Sequence, residues 1–185
     1  MVDLKPHNQI TFEKMMQLYK TEKRVCAIQA TGTGKTYLLL KLIEEYKNLH
    51  AIIFSPNDVI IEQTQGKMNK YNISNAEFCT YQKLINMGDS DIKNIRVDII
   101  VVDEMHRIGA DKWGQKINYL LETHNESLVF GITATPIRPS DGKDISLEIF
   151  NGNIACNLSL AEAIVRNIVK MPTYISALYT FDGVS

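Results

Sequence analysis

The sequence has few of the residues that mark secreted, metal-binding or membrane proteins. Its three cysteines, Cys26, Cys79 and Cys156, are scattered and form no CxxC pair or Cys/His cluster of the kind that binds zinc. No apolar run is long enough to cross a membrane, and the strongest, Ile99–Val102, has the length of a strand. The segment Met1–Pro6 lacks the apolar core of a secretory signal. We therefore expect reduced, buried thiols and a cytoplasmic protein.

An excess of charge is also missing, because 20 Lys and Arg balance 21 Asp and Glu and leave a net charge of −1. A domain that binds nucleic acid through a broad basic surface is usually strongly positive. Any nucleic-acid contact here must therefore be local and made partly through backbone amides. The length of 185 residues suits one domain with a buried core and is short for two ordinary α/β domains.

Apolar runs of strand length alternate with stretches of helical pattern. This alternation predicts an α/β fold with a mainly parallel central sheet and helices on both faces. The predicted strands are Arg24–Ile28, Ala51–Ser55, Ala76–Thr80, Val97–Val102, Ser127–Thr133, Ile154–Cys156 and Thr173–Phe181. The predicted helices are Asn8–Tyr19, Gly34–Tyr46, Asp58–Lys70, Tyr81–Asn86, Lys112–Thr123, Ile145–Phe150 and Leu160–Val169.

A glycine-rich segment, Ala30–Thr36 (ATGTGKT), lies between a predicted strand and a predicted helix. Glycines let the backbone curl so that successive N–H groups point at phosphate oxygens, and the helix N-terminus adds partial positive charge. Lys35 can reach the β- and γ-phosphates of a nucleotide, and the Thr36 hydroxyl can bind magnesium. Gln29 stands where the GxxxxGK pattern has its first glycine. The predicted nucleotide-binding residues of this loop are Thr31, Gly32, Thr33, Gly34, Lys35 and Thr36.

An acidic segment, Asp103–His106 (DEMH), directly follows the predicted strand that ends at Val102. Acids at the end of a buried parallel strand are where phosphate-transferring P-loop enzymes hold magnesium and orient water. Asp103 is predicted to hold the metal together with Thr36, and Glu104 to act as general base or to orient water. His106 is placed to sense the γ-phosphate side of the site. The catalytic prediction thus comprises Lys35, Asp103, Glu104 and His106.

Two hydroxyls, Thr133 and Thr135, follow the apolar run Leu128–Ile132. A strand that ends in two hydroxyls suits a hydrogen-bonded connection between the acidic segment and a moving neighbour. We therefore predict that Thr133 and Thr135 couple nucleotide state to movement.

In this order, ATGTGKT, DEMH and TAT resemble motifs I, II and III of superfamily 2 helicases. The sequence is most similar to the DExH group that includes type III restriction enzyme res subunits and related bacterial helicases, on the strength of Asp103–Arg107, Thr133–Arg138 and Leu158–Ala163. The resemblance implies a RecA-like domain that binds ATP and Mg²⁺ and forms part of an ATP-hydrolysing helicase or translocase. The restriction-enzyme relatives favour DNA over RNA as its partner.

Weaker segments resemble further motifs of the same family. Leu4–Gln9 resembles the Q-motif, in which Gln9 would read adenine, since a carboxamide can pair with the N6 and N7 edge of that base. Phe54–Asn57 resembles motif Ia and Thr80–Gln82 resembles motif Ib. The resemblance implies that these two turns touch the phosphate backbone of a nucleic acid. The residues concerned are Ser55, Pro56, Asn57, Thr80 and Tyr81.

Motifs IV to VI of the family have no counterpart in the sequence. Those motifs belong to a second RecA-like domain, so we expect residues 1–185 to be one domain of a longer chain. Residues from about 172 to 185 would begin the linker toward that second domain. The domain by itself is then expected to bind nucleotide and to turn it over slowly. A P-loop kinase or metabolic ATPase, and a non-catalytic scaffold with the same fold, are the alternative interpretations.

Overall fold

The computed structural model describes residues 1–108 and 111–171, apart from the side chains of 111–113. The predicted strand Thr173–Phe181 and the predicted linker lie outside these residues. Among the described helices, none is long and apolar enough to span a membrane.

Six strands form the core of the part of the chain that the structure describes. They are β1 (Arg24–Gln29), β2 (Ala51–Ser55), β3 (Ala76–Thr80), β4 (Ile99–Asp103), β5 (Leu128–Thr133) and β6 (Ile154–Leu158). The helices are α1 (Pro6–Leu18), α2 (Lys35–Glu45), α3 (Asp58–Lys70), α4 (Tyr81–Asn86), α5 (Asp89–Asn94), α6 (Asp111–Thr123), α7 (Ile145–Glu148) and α8 (Leu160–Val165). A 3-10 turn, Met105–Arg107, follows β4.

Within the described residues, the predicted elements are present with small shifts at their ends, and one helix was missed. α5 has only six residues, with three charged side chains and one buried residue, Ile92, so it has no apolar stripe to detect. α8 ends at Val165 rather than Val169 because Asn167 takes a left-handed conformation, with φ of 56°. β4 runs one residue further than predicted and includes Asp103.

The strands lie in the order β3-β2-β4-β5-β1-β6, and every pair is parallel. Parallel strands need crossover connections, and helices supply them here. Because the strands are all parallel, their carboxyl ends meet at one edge of the sheet. Loops that follow those ends are where open α/β sheets place ligands.

Successive residues of the strands point to opposite faces of the sheet. One face carries Val25, Ile53, Val101 and Phe130 and is covered by α1, α2 and α3. The opposite face carries Ile28, Phe54, Val102 and Val129 and is covered by α4 to α7. Both faces are buried, so the strands are almost continuously apolar, as expected for a parallel sheet.

Gly131 is the position of the central strand β5 at which packing leaves room for no side chain. A Cβ atom there would overlap the Phe150 ring and lie 2.6 Å from Met105 Sδ. We expect Gly131→Ala to lower the free energy of unfolding by about 1–3 kcal/mol through overpacking, measured by urea denaturation.

Gly66 supplies the control for that measurement. It lies inside α3, and no atom of the described residues would come within 4 Å of a Cβ atom added there. Gly66→Ala should therefore stabilise the protein by about 0.5–1 kcal/mol through helix propensity. Equal effects of the two substitutions would contradict the packing account of Gly131.

Candidate active site

The site forms where β1, β5 and β4 end side by side. Ile28 pairs with Thr133, and Asp103 pairs with Ile132, so the register of three adjacent strands aligns the glycine-rich loop, the acidic segment and the TAT segment. A cleft of about 330 Å³ lies at this edge. It is lined by Thr31, Gly32, Gly34, Lys35, Thr36, Tyr37, Leu39, Ile60, Lys67, Asp103, Glu104 and Ile132.

The glycine-rich loop turns back on itself between β1 and α2. Gly32 and Gly34 have φ angles of 86° and 94°, which residues with a side chain rarely adopt. Thr33 is fully buried and its hydroxyl donates to the Ala30 carbonyl at 2.8 Å. Thr33 therefore braces the loop from behind, whereas Thr31, Gly32 and Gly34 face the cleft. A turn of this shape directs N–H groups into an anion-binding concavity at the start of α2.

Lys35 begins α2 and points back along the loop. Its Nζ atom donates to the Gln29 carbonyl at 3.2 Å. Thr36, the next residue, lines the same cleft as Asp103. Its hydroxyl and that carboxylate are hard oxygen ligands of the type that Mg²⁺ prefers. The predicted metal ligands, Thr36 and Asp103, are thus brought together.

The first turn of α1 holds the loop by hydrogen bonds to its carbonyl groups. Asn8 is buried, and its Nδ2 atom donates to the carbonyls of Thr33 (3.0 Å) and Gly34 (3.3 Å). His7 Nε2 lies 2.8 Å from the Thr33 carbonyl, which can only accept, so this nitrogen carries the proton. Gln29 Nε2 donates to Asn8 Oδ1 at 3.0 Å. The residue that replaces the pattern's first glycine thus ties β1 to α1.

Gln9, which is predicted to read adenine, does not contact the loop, and its role toward a base stays a prediction. One residue along a helix turns the side chain by about 100°, so Gln9 faces outward where Asn8 faces inward. Its Nε2 atom donates to Glu13 at 2.9 Å on the exposed side of α1. It lines a separate hollow with Phe12 and Met16.

The acidic segment leaves β4 through a strained turn. Glu104 has a left-handed backbone conformation, with φ of 52° and ψ of 50°, which is costly for a residue with a side chain. The Glu104 N–H donates to Asp103 Oδ1 at 3.0 Å. The turn sets both carboxylates on the wall of the cleft.

Burial is the main influence on the charge of Asp103. The pKa of this carboxyl is raised from 3.8 to about 6, because burial and, to a smaller extent, the nearby Glu104 carboxylate outweigh the opposite effects of the Glu104 N–H and Lys35. The Glu104 N–H and Lys35 together do not compensate for the effect of burial on the charge of the Asp103 carboxylate. A divalent cation bound there would supply the missing positive charge.

His106 joins the acidic segment to the TAT segment. Its Nδ1 atom lies 2.8 Å from Thr133 Oγ1 and 3.3 Å from Glu104 Oε2. The Thr133 hydroxyl donates to the Thr135 carbonyl at 2.8 Å, so Nδ1 is the donor toward Thr133. Burial lowers the pKa of His106, which keeps the imidazole neutral at pH 7. Asp103, Glu104, His106, Thr133 and Thr135 thus form one connected group, whereas the Lys35 ammonium bonds to the Gln29 carbonyl instead.

Arg138, for which the sequence predicted no role, fixes the loop that follows Thr135. The residue is 3% exposed. Its guanidinium makes two hydrogen bonds of 2.7 Å to the Asp141 carboxylate, one of 3.0 Å to Glu148 and one of 2.7 Å to the Ile108 carbonyl. Ile108 ends the turn that carries His106, so Arg138 holds the exits of the acidic and TAT segments together.

The predicted nucleic-acid contacts after β2 differ in their accessibility. Ser55 is 1% exposed, and its hydroxyl has no hydrogen-bond partner among the described residues. Asn57 is exposed and caps α3, accepting from the Ile60 N–H at 3.0 Å. Pro56 lies between them and is half-buried. A phosphate outside the protein could meet Pro56 and Asn57, whereas the Ser55 side chain is covered.

The predicted contacts after β3 divide in the same way. Thr80 is half-buried and caps α4, accepting from the Lys83 N–H at 3.1 Å. Tyr81 is 5% exposed, and its hydroxyl donates to the Asp103 carbonyl. The side chains of Ser55 and Tyr81 are thus buried, so a nucleic-acid contact at these two positions would have to use the backbone. Tyr81 instead connects the turn after β3 with the acidic segment.

Five residues that line the cleft were not predicted from the sequence, and two of them, Tyr37 and Lys67, carry polar groups. Tyr37 follows the glycine-rich loop in the first turn of α2, and Lys67 reaches the cleft from α3. The Lys67 ammonium lies 5.4 Å from the centre of the Tyr37 ring. Helical spacing would place Lys67 on the partly covered side of α3, but nothing in the sequence indicates which neighbour lies there.

The chain resembles known proteins over most of its length. The family model of the type III restriction enzyme, res subunit, matches residues 1–138. The DNA 3'-5' translocase XPB2 of Sulfurisphaera tokodaii is 26% identical over 166 residues, covering 80% of this chain and 35% of that protein. The type I restriction enzyme EcoAI endonuclease subunit of Escherichia coli is 26% identical over 170 residues, covering 77% and 20%. This chain spans only a minor part of either relative.

Solved structures share the fold. The Type ISP restriction-modification enzyme LlaBIII bound to DNA superposes with a TM-score of 0.64 at 18% identity, covering 89% of this chain and 15% of that one. The Escherichia coli DEAH/RHA helicase HrpB superposes with a TM-score of 0.62 at 15% identity, covering 82% and 22%. The fold is that of a RecA-like helicase domain.

The raised pKa of Asp103 predicts a stability gain on neutralisation. The folded state binds this proton more tightly than the unfolded chain, so the ionised carboxylate costs stability as pH rises from about 4 to about 6, and the cost is constant above that. Without magnesium, Asp103→Asn should raise the free energy of unfolding by about 2–3 kcal/mol at pH 7.5. The gain should shrink toward pH 5 in urea titrations, and a gain independent of pH would contradict this explanation.

The contacts of Arg138 predict a loss on its removal. Arg138→Gln leaves the Ile108 carbonyl and two carboxylates without their donor, and those carboxylates are partly exposed, so we expect a loss of about 2 kcal/mol. Lys143→Gln is the control, because Lys143 is 60% exposed and lies 3.7–4.0 Å from the same carboxylates. It should change stability by less than about 0.5 kcal/mol. Similar losses in both variants would show that only the summed charge matters.

Proposed function

Because this chain belongs to the family of type III restriction enzyme res subunits, we propose that it is the nucleotide-binding half of an ATP-driven nucleic-acid motor. The observation that supports this best is the convergence of Lys35, Thr36, Asp103 and Glu104 on one cleft. A scaffold that had lost its activity would have no need to keep two carboxylates in a half-buried, partly strained site.

The glycine-rich loop and Lys35 would bind the phosphates of ATP. The loop amides and the start of α2 provide partial positive charge, and Lys35 would exchange its present acceptor, the Gln29 carbonyl, for a phosphate oxygen. Thr36 and Asp103 would hold Mg²⁺, which when bound neutralises charge on the phosphates. Asp103 would then be ionised, because the cation offsets the effect of burial.

Glu104 would orient the water that attacks the γ-phosphate. Its Oε2 atom is already positioned by His106, which is fixed in turn by Thr133. A change at the terminal phosphate would therefore alter the position of Thr133. It would then reach Thr135, because the Thr135 carbonyl accepts from the Thr133 hydroxyl. Thr135 is exposed, so it is the member of this group that a neighbouring domain could touch.

Rapid turnover would need an arginine near the terminal phosphate, and the two arginines that follow Thr135 are engaged elsewhere. Only Arg138 and Arg166 follow Thr135 in the sequence. Arg138 is used by Asp141, Glu148 and Ile108, and Arg166 pairs with Glu162 at 2.9 Å. An arginine supplied by another domain is worth on the order of 10³–10⁵ in rate. We infer that a second RecA-like domain completes the site.

The partner of the motor would be nucleic acid, with DNA favoured over RNA by the names of the relatives. Pro56, Asn57 and Thr80 lie at the accessible ends of β2 and β3, where hydroxyls and amides could bind a phosphate backbone. Movement at these turns could reach the nucleotide through Tyr81 and the Asp103 carbonyl.

The first test is equilibrium binding of Mg·ATP and Mg·GTP by calorimetry, with Lys35→Ala as the variant that removes phosphate contact. We expect the wild-type protein to bind Mg·ATP and Lys35→Ala to bind at least about tenfold more weakly. Turnover by this chain should stay far below roughly 1 s⁻¹, the low end for phosphate-transferring enzymes, with or without single-stranded DNA. Fast, DNA-stimulated hydrolysis would refute the need for a second domain, and no nucleotide binding would favour the scaffold.

A matched pair of variants tests how α1 contributes. Asn8→Ala removes the hydrogen bonds by which this side chain holds the loop and meets Gln29, so it should weaken ATP and GTP binding alike. Gln9→Ala affects an exposed residue that would have to leave Glu13 to meet a base. It should weaken ATP binding alone if Gln9 reads adenine, and no change with either nucleotide would dismiss that role.

A further inference from the structure

The cleft that contains the predicted phosphate and metal residues also contains a second lysine. Besides Thr36 and Asp103, it is lined by Tyr37, Leu39, Ile60 and Lys67. These four residues belong to α2 and α3, so two helices of the same face contribute to its walls.

One aromatic ring contacts Lys67, and a second ring contacts the first. Its ammonium lies 5.4 Å from the centre of the Tyr37 ring, within the range of a cation–π interaction. The Tyr37 ring meets the Tyr71 ring edge-on, with centroids 6.4 Å apart and planes at 82°. Tyr37 is thereby pinned between the start of α2 and the end of α3. Lys67 itself is half-buried and lines the cleft.

Lys67 has no carboxylate partner within ion-pair distance in the described residues, a property it shares with the half-buried Lys35. The half-buried Lys41 and Lys116 instead pair with Glu44 and Asp89 at 2.8 and 2.7 Å. The Tyr37 ring cannot act as a negatively charged hydrogen-bond acceptor for the Lys67 ammonium. A lysine ammonium carries three donors, and in a cleft that already faces phosphate these donors suit an anion.

We propose that Lys67 is a second phosphate-binding residue of this cleft and that Tyr37 is the positioning residue that aims it. The ligand is a phosphate group bearing two negative charges. It has two possible sources, the terminal phosphate of bound ATP and the inorganic phosphate released by hydrolysis. This inference rests on the proposed function, because it assumes that nucleotide phosphates occupy the cleft.

The two sources predict different losses when the charge of Lys67 is removed. Lys67→Met keeps the unbranched chain that packs on the Tyr37 ring but deletes the ammonium. If Lys67 contacts the terminal phosphate of ATP, the Kd for Mg·ATP rises on the order of tenfold and the Kd for Mg·ADP is unchanged. If Lys67 binds the released phosphate, both nucleotide Kd values stay the same, and inorganic phosphate binds the Mg·ADP complex several-fold more weakly.

Lys70→Met is the matched control for this substitution. Lys70 lies one turn further along α3, over the Tyr71 ring at 5.7 Å, and does not line the cleft. It should leave all three binding constants unchanged. Lys67→Arg should restore most of the affinity, since it restores the charge, and Tyr37→Leu should reproduce part of the Lys67→Met loss while Tyr37→Phe does not.

The experiment is calorimetric titration of the chain with Mg·ATP, with Mg·ADP and, at saturating Mg·ADP, with inorganic phosphate. A loss for ATP alone, or for phosphate alone, supports the inference and identifies the source. Equal affinities of wild type and Lys67→Met for all three ligands overturn it while leaving the proposed function intact. Equal losses in Lys67→Met and Lys70→Met overturn it as well, because a general loss of positive charge would explain them. A wild-type chain that binds no nucleotide contradicts the proposed function itself.

Discussion

The parallel register of β1, β5 and β4 is the constraint on which the rest of the site depends. These strands end at the same edge, so a loop that follows one strand lies beside the acids that follow another. Polar contacts of 2.8–3.3 Å then connect Glu104, His106, Thr133 and Thr135. The strand register already brings these side chains within hydrogen-bonding distance. A shift of one residue between β4 and β5 would turn Asp103 or Thr133 to the wrong face, and both faces are filled by helices.

The site is built at some cost to the fold. Asp103 is buried without enough positive charge around it, and Glu104 occupies a left-handed backbone conformation. The surrounding structure offsets this cost. Asn8 and His7 hold the glycine-rich loop, and Arg138 holds the far ends of the acidic and TAT segments. Local strain of this kind persists where the neighbours leave the chain no alternative, and here those neighbours come from α1 and from the loop before α7.

Sequence patterns were sufficient for the strands, for most helices and for the glycine-rich and acidic segments. Each of these has a strong local cause, such as a β-branched run, an apolar stripe or a glycine pair. The missed helix α5 has no stripe, and the shortened helix α8 ends where Asn167 turns left-handed. The burial of Ser55 and Tyr81 could not be predicted, because both end or follow strands whose neighbours are far away in sequence. Lys67 was missed for the same reason, since its only sign is the ring it lies over.

The sequence by itself determined the order of the elements, the conformation of Gly32 and Gly34 and the family to which the chain is similar. The first two follow from the preferences of neighbouring residues, and the tertiary structure confirmed them; the family model over residues 1–138 confirmed the third. Only the tertiary structure decided that Asn8 rather than Gln9 braces the loop, that Arg138 joins two segments, and that Lys67 shares a cleft with Lys35. The direction of a side chain depends on which helix covers which face of the sheet, and that is settled by packing between residues distant in the chain.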